Sequence, residues 1–152
     1  MEINVDNRSG QELPVERIEE LALFVLEREG IRKTAELSLS FVEPDEITEL
    51  NTRYRAKPEP TDVLSFELDN PWDETAQEDT GQLLLGDIVI CPDIAKEHAC
   101  LEEVSLEEEL WILVIHGILH LLGYDHADED EALLMEKKED DYFLLWEARV
   151  GI

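Results

Sequence analysis

The stretch Ser105-Leu106-Glu107-Glu108-Glu109-Leu110-Trp111-Ile112-Leu113-Val114-Ile115-His116-Gly117-Ile118-Leu119-His120-Leu121-Leu122-Gly123-Tyr124-Asp125-His126 decides the fold. Ser105 and Glu108 form a capping box, in which the serine side chain receives the amide three residues on and fixes where a helix starts. From Leu110 to Leu122 the helix is apolar all round, so it must be buried centrally rather than laid on a surface. It is also shorter than the roughly 20 residues that a membrane-spanning helix requires. The rest of the chain must therefore supply the layers that cover this helix.

His116 and His120 lie four apart, within roughly 40° of each other on one face of a helix with 3.6 residues per turn. Gly123 stands where a left-handed cap would end the helix, a conformation no β-carbon obstructs, and the reversal can return His126 to the first pair. Three neutral nitrogen ligands suit zinc, or another first-row divalent ion, one per chain, with a fourth coordination position open. Isolated histidines on a buried helix are ordinarily satisfied core residues, but a metal satisfies three at this spacing together. The spacing is that of the metzincin peptidases, H-E-x-x-H-x-x-G-x-x-H, except that Gly117 replaces the general-base glutamate. The window thus argues for a metal site and against ordinary proteolysis.

Composition bounds the remainder. With 152 residues, 43% of them hydrophobic, there is apolar material for one core and a single domain over 1–152. No basic, apolar and small-residue sequence opens the chain, so a soluble, cytoplasmic protein without a membrane partner is expected. Cys91 and Cys100 belong to no paired motif and are expected to be reduced packing residues. His98 stands alone in a polar segment and is expected at the surface. The formal charge is −27, from 39 acidic and 12 basic side chains. Such an excess repels polyanions at long range and by itself votes against a nucleic-acid partner.

Periodicity supplies the layers. Residues 2–6 alternate polar and apolar as a half-buried strand, and residues 35–43 do so again through Leu37, Leu39 and Phe41. Between them a helix runs from about Pro14 to Glu29, with Ile18, Leu21, Ala22, Val25 and Leu26 as its apolar stripe and Gly30 as its stop. Asp45 to Tyr54 is a second helix, and Thr61 to Phe66 a third strand after Pro58 and Pro60. The acidic stretch from Glu67 to Gln82 is expected to be a mobile loop, with Trp72 anchoring it or making contacts. Gly86 to Cys91 is a nearly continuous apolar strand and therefore central. Pro92 opens a short helix, and a last one runs from about Glu129 to Ala148. The expected fold is α+β: one domain with about four strands in a mixed sheet, five or so helices, and the metal motif on the central buried helix.

With these residues in view the chain resembles the YbeY family of bacterial endoribonucleases. Beside the histidine window, residues 50–66, Leu-Asn-Thr-Arg-Tyr-Arg-Ala-Lys-Pro-Glu-Pro-Thr-Asp-Val-Leu-Ser-Phe, and Leu85-Gly86-Asp87-Ile88-Val89-Ile90 resemble the family's other two signatures, in the family's order. The resemblance implies a metal on His116, His120 and His126 and a functional arginine at Arg55. It implies a single-strand-preferring endoribonuclease acting on precursor ribosomal RNA, at the 3′ end of the small-subunit RNA, and in ribosome quality control. Its partners would be single-stranded RNA, the small ribosomal subunit and assembly factors such as an Era-type GTPase. Two residues depart from the family's habit. Glu67 stands where a proline commonly follows Ser-Phe, and Glu59 where a basic or polar residue is frequent. Both remove positive potential near the RNA path.

The residues are compatible with that chemistry. Arg55 can give bidentate contacts to phosphate oxygens, although an arginine near a helix C-terminus is favoured there in any case. Proton transfer is open at this level: the metal could deliver hydroxide or activate a ribose 2′-hydroxyl, and Asp125 could take a proton or orient a histidine. Asp62 and Asp87 could line the same cleft or simply make strand-end hydrogen bonds. The alternatives to a nuclease are a non-catalytic ribosome-assembly factor with a structural metal and a metallopeptidase. A structural zinc site normally closes with four protein ligands, and only three are found.

Overall fold

The computed structural model describes residues 1–73 and 82–151. Its strands are β1 (Glu2–Asn7), β2 (Ala35–Phe41), β3 (Val63–Glu67) and β4 (Leu83–Ile90), and its helices are α1 (Val15–Arg28), α2 (Pro44–Arg55), α3 (Pro92–Glu102), α4 (Leu106–Leu121) and α5 (Glu129–Val150). The sheet order is β1-β2-β4-β3. The β1–β2 and β2–β4 pairs are parallel and the β3–β4 pair antiparallel, so the sheet is mixed, as expected.

β4 is interior, but it begins at Leu83, three residues before the expected start. Leu83 pairs with Ala35 and is buried, as is Leu85. The strand bulges just before Gly86: Glu36 faces Leu84 and Leu37 faces Gly86, which leaves Leu85 as the extra residue. Gly86 has φ +144°, and a β-carbon on it would lie 2.2 Å from the Phe66 carbonyl oxygen. Only glycine lets β3 approach so closely.

Strand alternation sends Ile88 and Ile90 into the large core and Val89 into a smaller one on the opposite face, where it meets Val42, Ile47, Leu64 and Cys91. The large core holds α4. This helix packs against α1, α3, α5, β3 and β4, and its residues Leu110, Trp111, Val114, Ile115, Ile118 and Leu119 are nearly inaccessible. Trp111 meets Trp146 of α5 edge to face at 5.8 Å, and Phe24 of α1 lies 5.8 Å from Trp146. Such pairs add about 0.5–1.5 kcal/mol beyond the area they bury. Ser105 caps α4 as the sequence indicates, its hydroxyl accepting the Glu108 amide at 3.0 Å.

Several local expectations shift. Pro14 is the residue before α1 rather than its first turn, with ψ 69°. Gly30 does stop that helix, in a left-handed conformation with Ile31 N–H returned to the Leu26 carbonyl at 3.0 Å. Cys91 is buried, but Cys100 is exposed and so is no packing residue. The expected mobile loop falls partly on residues 74–81, outside the described residues. Within its described part, Trp72 donates its indole N–H to the Leu122 carbonyl at 2.8 Å, the anchoring use rather than a free contact residue.

Candidate metal centre

The end of α4 assembles the centre. Gly123, at φ +100°, reverses the chain, and its amide and that of Tyr124 return to the carbonyls of His120 and Leu119 at 3.1 Å each. The turn brings His126 to the two helix histidines. Ring centroids lie 4.5 Å apart for His116–His120, 5.9 Å for His116–His126 and 5.6 Å for His120–His126. One ring nitrogen from each lies within 4.8 Å of the others. Tetrahedral zinc with nitrogen ligands holds neighbouring donors about 3.4 Å apart, so small ring rotations would suffice. The donor set therefore fits a divalent ion.

Two features prepare the rings. Burial, and then the neighbouring His116, lower the pKa of His120 below the ordinary histidine value, which keeps its imidazole neutral and able to ligate. His116 Nδ1 lies 3.0 Å from Glu139 Oε1 of α5, which leaves Nε2 to face the centre. Glu139 is a candidate supporting residue that the sequence did not reveal. It lies 23 positions from His116 in an acidic helix, and nothing in its spacing singles it out.

The turn is braced as well. Glu29, at the end of α1, accepts hydrogen bonds from Tyr124 Oη at 2.8 Å, Lys138 Nζ at 3.0 Å and Tyr142 Oη. Burial opposes ionisation of Glu29, but these donors outweigh it and hold its pKa below the usual carboxylate range. Tyr124, between Gly123 and Asp125, is thereby fixed from two other helices.

His116 and His120 open into a cleft of about 440 Å³ that is lined as well by Arg55, Val63, Ser65, Glu67, Gly123, Tyr124 and Asp125. Arg55 is the last residue of α2, before a left-handed Ala56, and among the described residues no carboxylate pairs with it. Asp125 lines the cleft, and its Oδ1 accepts the His126 amide at 2.7 Å, so it positions that histidine through the backbone. The ring it was expected to orient is instead held, in the case of His116, by Glu139. Asp62 and Asp87 do not line this cleft: Asp87 is exposed on β4, and Asp62 faces His98. Gly117 lies against β4, where an added β-carbon would meet Ile88 at 2.9 Å. The position that carries a peptidase's base faces the sheet and has no room for a side chain.

A histidine cluster at the end of a central helix, beside an open cleft, marks the chain as a candidate metal-dependent enzyme. Comparison narrows the class. The sequence model described as endoribonuclease YbeY matches residues 4–147. A relative named endoribonuclease YbeY in Nocardioides sp. is 39% identical over 149 residues, covering 98% of this chain and all of its own. Another of that name, in Parafrankia sp., is 44% identical over 135 residues, covering 86% of this chain and 84% of its own. The solution structure of TM1509 from Thermotoga maritima superposes with a TM-score of 0.66 at 31% identity, over 98% of this chain and 91% of that one. The chain belongs to the YbeY endoribonuclease family.

Proposed function

We propose that residues 1–152 form a single metal-dependent endoribonuclease domain that cuts single-stranded RNA during ribosomal RNA maturation. The observation that carries this reading is the cleft that His116 and His120 share with Arg55, with His126 completing the histidine cluster beside them. The three imidazoles would hold one zinc ion per chain, which when bound supplies Lewis-acid polarisation of a phosphoryl oxygen and acidifies water. Arg55 approaches the same space from α2 and would take two phosphate oxygens in its planar fork as their charge grows. Glu139 holds the His116 tautomer, and Glu29 with Tyr124 keeps the turn in register. Glu67 and Asp125 are the carboxylates of the cleft and the candidate proton acceptors.

The family resemblance extends the proposal to the 3′ end of small-subunit ribosomal RNA, to ribosome quality control, to the small subunit and an Era-type GTPase as partners, and to the cytoplasm. Among the described residues no helix is long and apolar enough to cross a membrane. A purely structural metal, as in a non-catalytic assembly factor, is disfavoured by an incomplete ligand set that faces an open cleft. Zinc-loaded protein is expected to cleave a short single-stranded RNA, and His120→Ala to lose at least a hundredfold in rate together with one zinc per chain by elemental analysis. Undiminished zinc in His120→Ala would refute the ligand assignment, and undiminished cleavage would refute the role.

A further inference from the structure

A second cluster lies outside the cleft. Asp62 precedes β3, His98 is on α3 and Glu109 is in the first turns of α4, and one ligand atom from each lies within 4.8 Å of the others. His98 Nδ1 is 3.2 Å from Asp62 Oδ2. Glu109 is only 6% exposed, and its Oε2 is shielded from solvent with no hydrogen-bond partner among the described residues. A carboxylate is rarely left so: burial of a charge without a partner is costly, and natural sites pair it, neutralise it or give it to a metal. Here the neighbours aggravate the problem. Burial first, then the charges of Glu102 and Asp62, push the Glu109 carboxyl above its ordinary pKa. No Lys or Arg among the described residues forms an ion pair with Glu109 or Asp62.

We infer that Asp62, His98 and Glu109 form a second divalent-cation site, distinct from the three-histidine centre. Two carboxylate oxygens and one imidazole nitrogen are a donor set for a first-row ion such as Mn²⁺ or Zn²⁺. The side chain of His98 is 45% exposed, which gives the ion an entry path and room for water to complete its shell. The site is not the second half of a two-metal catalytic pair. Glu109 and His116 are seven residues apart on one helix, about 10 Å of axial rise, whereas paired catalytic ions sit about 4 Å apart. Its role is to clamp. The ion would join α3 and α4 to the end of the 56–62 segment, which runs from Arg55 to the cleft-lining strand β3, and so fix the approach of α2 to the cleft.

Manganese binding by the full chain tests this in a His120→Ala background, where the first centre is disabled, so the outcome is independent of whether the protein cleaves RNA. Equilibrium dialysis against Mn²⁺ in about 0.15 M salt screens the diffuse acidic surface, and elemental analysis then counts bound ions. The expected result is one Mn²⁺ per chain more in His120→Ala than in His120→Ala/Glu109→Gln, with a Tm rise on adding Mn²⁺ in the first variant alone. His98→Ala, a change at a half-exposed position, is expected to weaken the same ion at least tenfold and covers the case in which Glu109→Gln fails to fold. Equal Mn²⁺ content and equal Tm response in all three proteins would overturn the site, because surface counterions do not distinguish a buried glutamate from glutamine.

Discussion

Helix α4 carries two ionisable clusters on one face, Glu109 near its start and His116 with His120 near its end, and the two differ in where their balancing groups come from. At the C-terminal end three imidazoles converge, and the carboxylate that orients one of them, Glu139, sits behind His116 on α5 at 3.0 Å. At the N-terminal end two carboxylates face one imidazole, and one oxygen of Glu109 has no hydrogen-bond partner among the described residues. In the first cluster the orienting carboxylate is already in place; in the second, buried charge is left uncompensated, which the inferred ion would remedy. A donor set is thus readable from the unmet partners of its buried member as well as from its ligands.

Four expected outcomes would break or sharpen that contrast. The largest concerns the cleft that only the first cluster shares. Arg55→Lys is expected to keep fold and zinc content and to lose tenfold or more in RNA cleavage, since the charge survives while the bidentate fork does not. Cleavage unchanged in both Arg55→Lys and Arg55→Ala would remove this arginine from the chemistry.

Next is the support behind the histidines. Glu139→Gln is expected to weaken zinc about tenfold, the lower end of what loss of a carboxylate behind a ligating histidine does. Competition with a chelator of known affinity measures it. An unaltered zinc affinity would show that the 3.0 Å contact is incidental.

The third outcome concerns Glu109, and its sign is opposite to that of an ordinary carboxylate deletion. A carboxyl whose folded pKa is raised costs stability as pH climbs from its ordinary value, 4.5, to its folded one, and the cost is full above that; below 4.5 it vanishes because both states are protonated. Glu109→Gln should therefore be more stable than the parent at pH 7 without metal, by about 1 kcal/mol, and equal to it near pH 4. Millimolar Mn²⁺ should cancel the advantage at pH 7. Chemical denaturation at the two pH values, with and without the ion, reads all of these, and a variant that is less stable at pH 7 without metal would mean that the carboxylate has a favourable partner.

The smallest effect comes from the surface that surrounds both clusters. Arg53, Arg55, Lys57 and the ion must attract RNA against a net charge of −27. At about 0.01 M salt the screening length of roughly 30 Å lets the whole acidic surface act, and at about 0.15 M it shrinks to roughly 8 Å. Cleavage of a short single-stranded RNA at subsaturating concentration is expected to rise about twofold over that range before falling, as phosphate contacts weaken at higher salt. A monotonic decline from the lowest salt would show that local positive potential already dominates.

The sequence by itself determined the elements whose cause is local. The capping box at Ser105, the all-round apolar run of α4, the Gly123 reversal and the His116/His120/His126 spacing are set by neighbours within one or two turns, so the fold class and the three ligating candidates were legible before any contact was known. The bulge at Leu85–Gly86 escaped because it exists only in the pairing of β4 with β2, and the Phe66 carbonyl that leaves no room for a β-carbon at Gly86 is on a third strand. Tertiary structure alone decided the rest. It set Glu139 behind His116, closed Glu29 onto Tyr124 from the end of a distant helix, turned Gly117 to the sheet, and drew Asp62, the apparently solitary His98 and Glu109 together from three segments. Such groupings have no period along the chain. They arise when layers pack, and only then does burial decide which charges have partners.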